Sequence, residues 1–184
     1  MTKIPLNIDK WLDSFELLRK PLNELTETNQ RIWGYEDNAR RTDVADSEIA
    51  SLKRNIDKDN QKRNDLIDTI DAILKQDIEK KVKSIDKKAL LNSETPGSVF
   101  DRIIILAMRS HSLKNEIKRK DASDAHIKRC KKMLEEVEDR SRDLVKCLED
   151  LLNDYYSGRK RLKSYKQHKL YNDPELNPSL RKNI

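Results

Sequence analysis

The stretch IKRCKKMLEEVEDRSRDLVKCLEDLLNDY, Ile127 to Tyr155, decides the fold. Ile127, Cys130, Leu134, Val137, Ser141, Leu144, Leu148, Leu151 and Tyr155 step by three and four, and only Ser141 is polar. Such spacing keeps one stripe on one side of an α-helix and buries it in a bundle or coiled coil. Moved back by 78 residues, the pattern recurs without a gap. Ile49, Leu52, Ile56, Leu66, Ile70 and Ile73 underlie Ile127, Cys130, Leu134, Leu144, Leu148 and Leu151. Charges follow the same register, with Lys53 under Lys131, Asp57 under Glu135, Asp65 under Asp143 and Asp71 under Glu149. The connectors RTDVADSEI (Arg41 to Ile49) and RKDASDAHI (Arg119 to Ile127) correspond too, each with Asp or Ser where an N-cap is needed. Duplication of a helical hairpin accounts for this; so does the general likeness of any two capped amphipathic helices.

Working outward, the chain reads as a single all-α domain over 1–184, an antiparallel four-helix bundle of two related hairpins. The first hairpin spans 21–82 and the second 98–157, with a short N-terminal helix in 1–20 and a basic strap and tail in 158–184. Pro21 suits a first helical turn, so it is expected to separate Asp9–Lys20, with Trp11, Phe15 and Leu18, from a helix running to Arg40. Lys83 to Gly97 reads as the loop between hairpins, and helix is able to continue past Gly158 to Lys169.

Bulk composition agrees. The 184 residues hold three glycines and five prolines, too little turn chemistry for a sandwich or barrel. Charged residues make up 39%, and the longest apolar run, Ile103 to Met108, is far short of the roughly 20 residues of a membrane span. The start, MTKIPLNIDKWLDSF, has no apolar core of a signal peptide. Cys130 and Cys147 fall about 25 Å apart on one helix and cannot bridge within it. A reduced, cytoplasmic setting is the expectation.

Chemistry is sought where the repeat fails. The second helix needs apolar residues at 59 and 63 but carries Asp59 and Arg63, beside Asn60 and Asn64. A charge on a buried stripe costs several kcal/mol unless paired. Either a polar pocket opens inside the bundle, or Asp59 and Arg63 pair locally four residues apart. Asn29, Trp33, Glu36, Asp37 and Arg40 share helical spacing, which suits a ligand-binding wall or a core tryptophan beside a Glu36–Arg40 pair. TPGSVFDR, Thr95 to Arg102, opens the third long helix, whose free N–H groups favour an anion unless Asp101 caps them. His126 and Cys130 are four apart, but zinc needs three or four ligands, so neither a metal nor a cofactor is expected. RKRLKSYKQHK, Arg159 to Lys169, holds six basic residues and no acidic one. The chain has 39 basic and 33 acidic residues, so without that segment the counts are 33 and 33, and the whole excess of +6 lies there.

WGYEDNAR (Trp33 to Arg40), KRNIDKDNQKRND (Lys53 to Asp65), TPGSVFDRIIIL (Thr95 to Leu106), HIKRC (His126 to Cys130) and GRKRLKSYKQHKLYNDPELNP (Gly158 to Pro178) together resemble a bacterial family, the domain-of-unknown-function 4254 family. The resemblance covers about Asn29 to Pro178. It implies a motif set of Trp33, Glu36, Asp37, Arg40, Asp57, Asn60, Arg63, Asn64, Asp101, Arg102, Lys163, Tyr165, Lys169, Tyr171, Asn172 and Asp173. It also points toward surface-polysaccharide or lipopolysaccharide gene clusters and brings no reaction. His111-Ser112 stands where the family pattern has Tyr-His, so no histidine is given a catalytic role.

Three functions compete. The first is a site for an anionic small molecule, phosphorylated or nucleotide-sugar-like. Its walls are Trp33, Glu36, Arg40, Asn60, Arg63 and Arg102, and the strap from Lys163 to Asp173 is its lid. Whether it is an enzyme stays open: transfer or hydrolysis with Glu36 or Asp37 as base is one option, and no geometry read from the sequence supports it. The second is a non-enzymatic adaptor for a protein partner or homo-oligomer, and the third binds nucleic acid or an anionic membrane through the basic strap.

Overall fold

The computed structural model describes the backbone of residues 12–165 and 173–181, with side chains from Glu16 onward. Four helices follow in order: α1 (Leu12–Asn38), α2 (Asp46–Lys81), α3 (Pro96–Ile117) and α4 (Asp124–Tyr156). There is no strand among the described residues, only an isolated bridge between Leu90 and Lys160. No helix among them is long and apolar enough to cross a membrane.

Local chemistry sets the boundaries. Thr95 caps α3 by accepting the Ser98 N–H, with Pro96 in the first turn where its missing N–H costs nothing. Ser123 caps α4 by accepting the His126 N–H. Ala45 stands at the start of α2 without a side-chain cap, and Asp46 and Glu48 place negative charge in that first turn instead. Gly158, with φ of 74°, takes the chain out of α4 through the left-handed region. The described residues after it, to Tyr165, are not helical.

The expected break at Pro21 does not occur: α1 runs through it. The proline forfeits one backbone hydrogen bond, yet Leu18, Leu22 and Leu25 form a continuous buried stripe across it. Burying leucines of that kind is worth about 1.5–3 kcal/mol each, enough to hold the helix together.

All four helices contribute to one core. Leu25 of α1, Ile70 of α2, Phe100 of α3 and Leu148 of α4 each have no exposed surface. A smaller cluster of Ile78, Leu151 and Tyr155 closes the end where α2 and α4 finish. α1 lies along α2, where Arg31 meets Asp59 and Glu24 approaches Lys62. α3 lies along α4, where Lys114 meets Glu138 and Glu116 meets His126. The two connectors share a device: Arg41 forks onto Asp43, and Arg119 onto Asp121, through Nε and Nη2 in both.

Candidate functional site

The two charges that interrupt the α2 stripe do not pair with each other. Asp59 accepts from Arg31 Nε at 2.8 Å and Nη2 at 3.2 Å, and the same guanidinium reaches Thr28 Oγ1. Arg63 donates from Nε to Asp101 Oδ1 at 2.9 Å and from Nη2 to Oδ2, while Asn29 Nδ2 adds a bond of 2.9 Å to Oδ1. Each charge on α2 is therefore matched by a residue from another helix. The Asp101 side chain is 4% exposed and the Arg63 side chain 29%. Burial of that carboxylate is offset by a forked guanidinium and an amide, which is what an ion pair needs to persist in a core.

Asp101 thus does not cap α3. The carboxylate at that terminus belongs to α2: Asp71 Oδ1 accepts the Gly97 N–H at 2.7 Å. A Cβ on Gly97 would fall 2.6 Å from the Ile67 carbonyl oxygen, so this close approach requires glycine. The helix N-terminus that the sequence offers to a phosphate is occupied by the protein's own side chain. Burial pushes the Asp71 carboxyl up to about 6, against the opposing pull of the Thr95 hydroxyl and the Gly97 N–H.

Beside the Asp101–Arg63 pair lies a cavity of ≈ 340 Å³. α1 supplies Asn29, Ile32, Trp33, Glu36, Asp37 and Arg40; α2 supplies Arg63; α3 supplies Ile105, Met108 and Arg109. Six residues singled out in the sequence, Asn29, Trp33, Glu36, Asp37, Arg40 and Arg63, meet here. Arg40 Nη1 is 3.0 Å from Glu36 Oε2. The walls hold three guanidinium groups and two carboxylates, with Asp101 behind Arg63.

Other candidates lie elsewhere. Arg102 pairs with Glu94 at 2.6 Å and is half exposed. One residue along a helix turns about 100°, so with Asp101 facing α1 and α2 its neighbour points away. Asn60 and Asn64 are half-buried on α2 and do not line the cavity. Lys163 stands 4.8 Å from the centre of the exposed Tyr165 ring. Asp173 is exposed and accepts the Glu175 N–H in a turn of its own segment. Lys169, Tyr171 and Asn172 lie outside the described residues, as do Trp11 and the Phe15 side chain. The lid is not formed by the described part of the strap. Arg161 N–H bonds the Leu90 carbonyl beyond the end of α2, and Arg63 to Lys81 spans about 27 Å of helix.

Sequence reasoning missed Arg109, Ile105 and Met108. Their signal is helical spacing from Asp101: positions four, seven and eight further on share its face.

A larger cavity, ≈ 540 Å³, lies between α3 and α4, with Leu106, Ala107 and Val145 among its walls and His111 at its side. Its charges are spent on short surface pairs, Lys114 with Glu138, Arg142 with Asp139 and Lys146 with Asp150. No buried polar group points into it, so size does not make it the better candidate. His126 Nε2 lies 3.0 Å from Glu116 and 3.4 Å from the buried Cys130 sulfur. Among the described residues no three His, Cys, Asp or Glu side chains are grouped to hold a metal.

Residues 19–164 match the model of a family described as a protein of unknown function, DUF4254. The chain belongs to this family. The DUF4254 match takes in all four helices except the start of α1, the whole ≈ 340 Å³ cavity and the first part of the strap. It ends before the YNDPELNP turn sequence at 171–178. No curated protein and no solved structure matches the chain.

Proposed function

We propose that the cavity between α1, α2 and α3 binds a small anionic molecule of the sugar-phosphate or nucleotide-sugar class. One observation carries this reading: Arg63 reaches the cavity wall with its guanidinium already fixed by Asp101, a carboxylate that Asn29 also holds, beside Trp33 and Arg109. A preset guanidinium loses little freedom on meeting a phosphate, which is what makes such a group a good anion anchor. The Trp33 face suits a flat ring, and Glu36 and Asp37 suit sugar hydroxyls. This ligand class is also the one that surface-polysaccharide chemistry uses. The test is a thermal-shift panel of nucleotides, nucleotide sugars and sugar phosphates, on the wild type and on Arg109→Gln and Trp33→Leu. A raised Tm confined to one class, and lost in both variants while their ligand-free Tm holds, is the expected result. No shift with any class, or a shift indifferent to both variants, would overturn the reading.

The architecture around this site is inferred to be an antiparallel bundle of duplicated hairpins, one bacterial domain followed by a basic C-terminal strap. The matching Arg41–Asp43 and Arg119–Asp121 forks support duplication, as do helix starts at Asp46 and Asp124, 78 residues apart. Two generic helices have no reason to repeat a bidentate loop pair in the same register.

A further inference from the structure

The end of the molecule where α2 and α4 finish carries a different surface. α2 runs out through Lys80 and Lys81, and Lys83, Lys87 and Lys88 follow in the loop. That loop is fastened in place. Ala89 N–H bonds the Asp86 carbonyl, Arg161 N–H bonds the Leu90 carbonyl, Arg161 Nε reaches the Ala89 carbonyl, and Leu90 bridges to Lys160. The fastening leaves two adjacent leucines outward: Leu90 is 70% exposed and Leu91 45%. Lone exposed leucines are ordinary, but two consecutive ones on a pinned loop, just after Lys87 and Lys88, combine apolar and cationic chemistry in one exposed segment.

Charge at this end is lopsided. Residues 75–92 and 154–165 hold ten basic side chains and four acidic ones. Four of the ten, Arg159, Lys160, Arg161 and Lys163, come from the basic strap, and six from the end of α2 and the loop after it. Two of the acids are engaged: Asp77 by Lys81 and the Tyr156 hydroxyl, Asp154 by Arg159 and Lys160. Glu79 and Asp86 share a small cavity with Lys75, Lys87 and Arg161, which brings the strap and the loop together.

We propose that this end docks on an anionic lipid bilayer, the lysines and arginines facing the head groups and Leu90 and Leu91 entering the acyl boundary. Exposed leucines next to basic side chains complement a surface that is negative outside and apolar beneath. Tyr165, exposed beside Lys163, is a side chain suited to the same interfacial layer. A nucleic acid offers the negative charge but no apolar layer, and leaves the leucines without a role.

The test is co-sedimentation of the full chain with vesicles of phosphatidylcholine, with or without about one third phosphatidylglycerol. Binding to the anionic vesicles alone is expected. Charge reversal in Lys87→Glu/Lys88→Glu should weaken it at least about twentyfold, at roughly fivefold per charge lost. Leu90→Ser/Leu91→Ser should weaken it severalfold with helix content unchanged by circular dichroism. No binding to anionic vesicles at low salt would overturn the proposal. Binding that the double serine variant leaves intact would overturn it too, as would RNA binding that displaces the vesicles and ignores the leucines, since both mark a purely polyanion-binding surface.

Discussion

Two buried carboxylates face each other's helices across the α2–α3 contact, and they are handled in opposite ways. Asp101 of α3 receives a full guanidinium from Arg63 of α2, with Asn29 as a third donor. Asp71 of α2 receives only the neutral donors of Gly97 and Thr95 at the start of α3, and its carboxyl is pushed up to about 6. A counter-charge makes the first a stable ion pair that projects toward a cavity. Neutral donors make the second a helix cap whose charged form they favour, but without a counter-charge burial outweighs them and pushes the carboxyl up. The first arrangement leaves a cation at a cavity wall, and the second fills a helix N-terminus with the protein's own carboxylate.

The largest effect should come from removing the cation. Arg63→Met strands Asp101 in the core and should cost about 3–5 kcal/mol in urea unfolding. Arg63→Met/Asp101→Leu should recover most of that. A loss below about 1 kcal/mol in the single variant would mean that Asp101 is not a charge the fold must neutralise.

Next comes the pH response of the cap. The Asp71 carboxyl rises in the folded state, so the native protein holds its proton longer than the unfolded chain does. Its contribution to stability is complete below about pH 4 and is lost as pH rises through about 6, by up to about 3 kcal/mol. Asp71→Asn should flatten the stability profile across that window and leave a protein more stable than wild type at pH 7. A profile unchanged by the substitution would assign the pH dependence to other groups.

Smaller again is the steric contrast between two glycines. Gly97→Ala drives a methyl into the Ile67 carbonyl and should cost about 1–3 kcal/mol. Gly34→Ala meets nothing within 4 Å in the middle of α1 and should gain about 0.5–1 kcal/mol from helix propensity. Denaturation midpoints that move in the same direction for both would break the comparison. Smallest of all, Arg102→Ala removes a half-exposed pair with Glu94 and should change stability by less than about 1 kcal/mol.

What could be read from sequence follows from the range of each interaction. The stripe from Ile127 to Tyr155 and the caps at Thr95 and Ser123 are local, set by neighbours three or four residues away, and they are legible. Pro21 misleads because its local penalty is outweighed by leucines packed against other helices. Asp59 and Arg63 announce themselves as charges out of place, but their partners lie 28 and 38 residues away. Nothing in helical periodicity encodes those pairings. The α1 wall of the cavity is legible because its residues share one helix face. The α3 wall with Arg109 depends on how two helices cross, and Arg102, in the first turns of α3, points away from it because successive helical residues turn by about 100°.

The chain has two tryptophans, so Trp11→Phe leaves Trp33 as the sole indole reporter in the proposed site. The decisive measurement is the emission of Trp33 in that variant, titrated with sugar phosphates and nucleotide sugars. The account predicts a saturable change with one of these classes, abolished by adding Arg109→Gln. Emission that stays flat through every titration, or that saturates equally without Arg109, would contradict it.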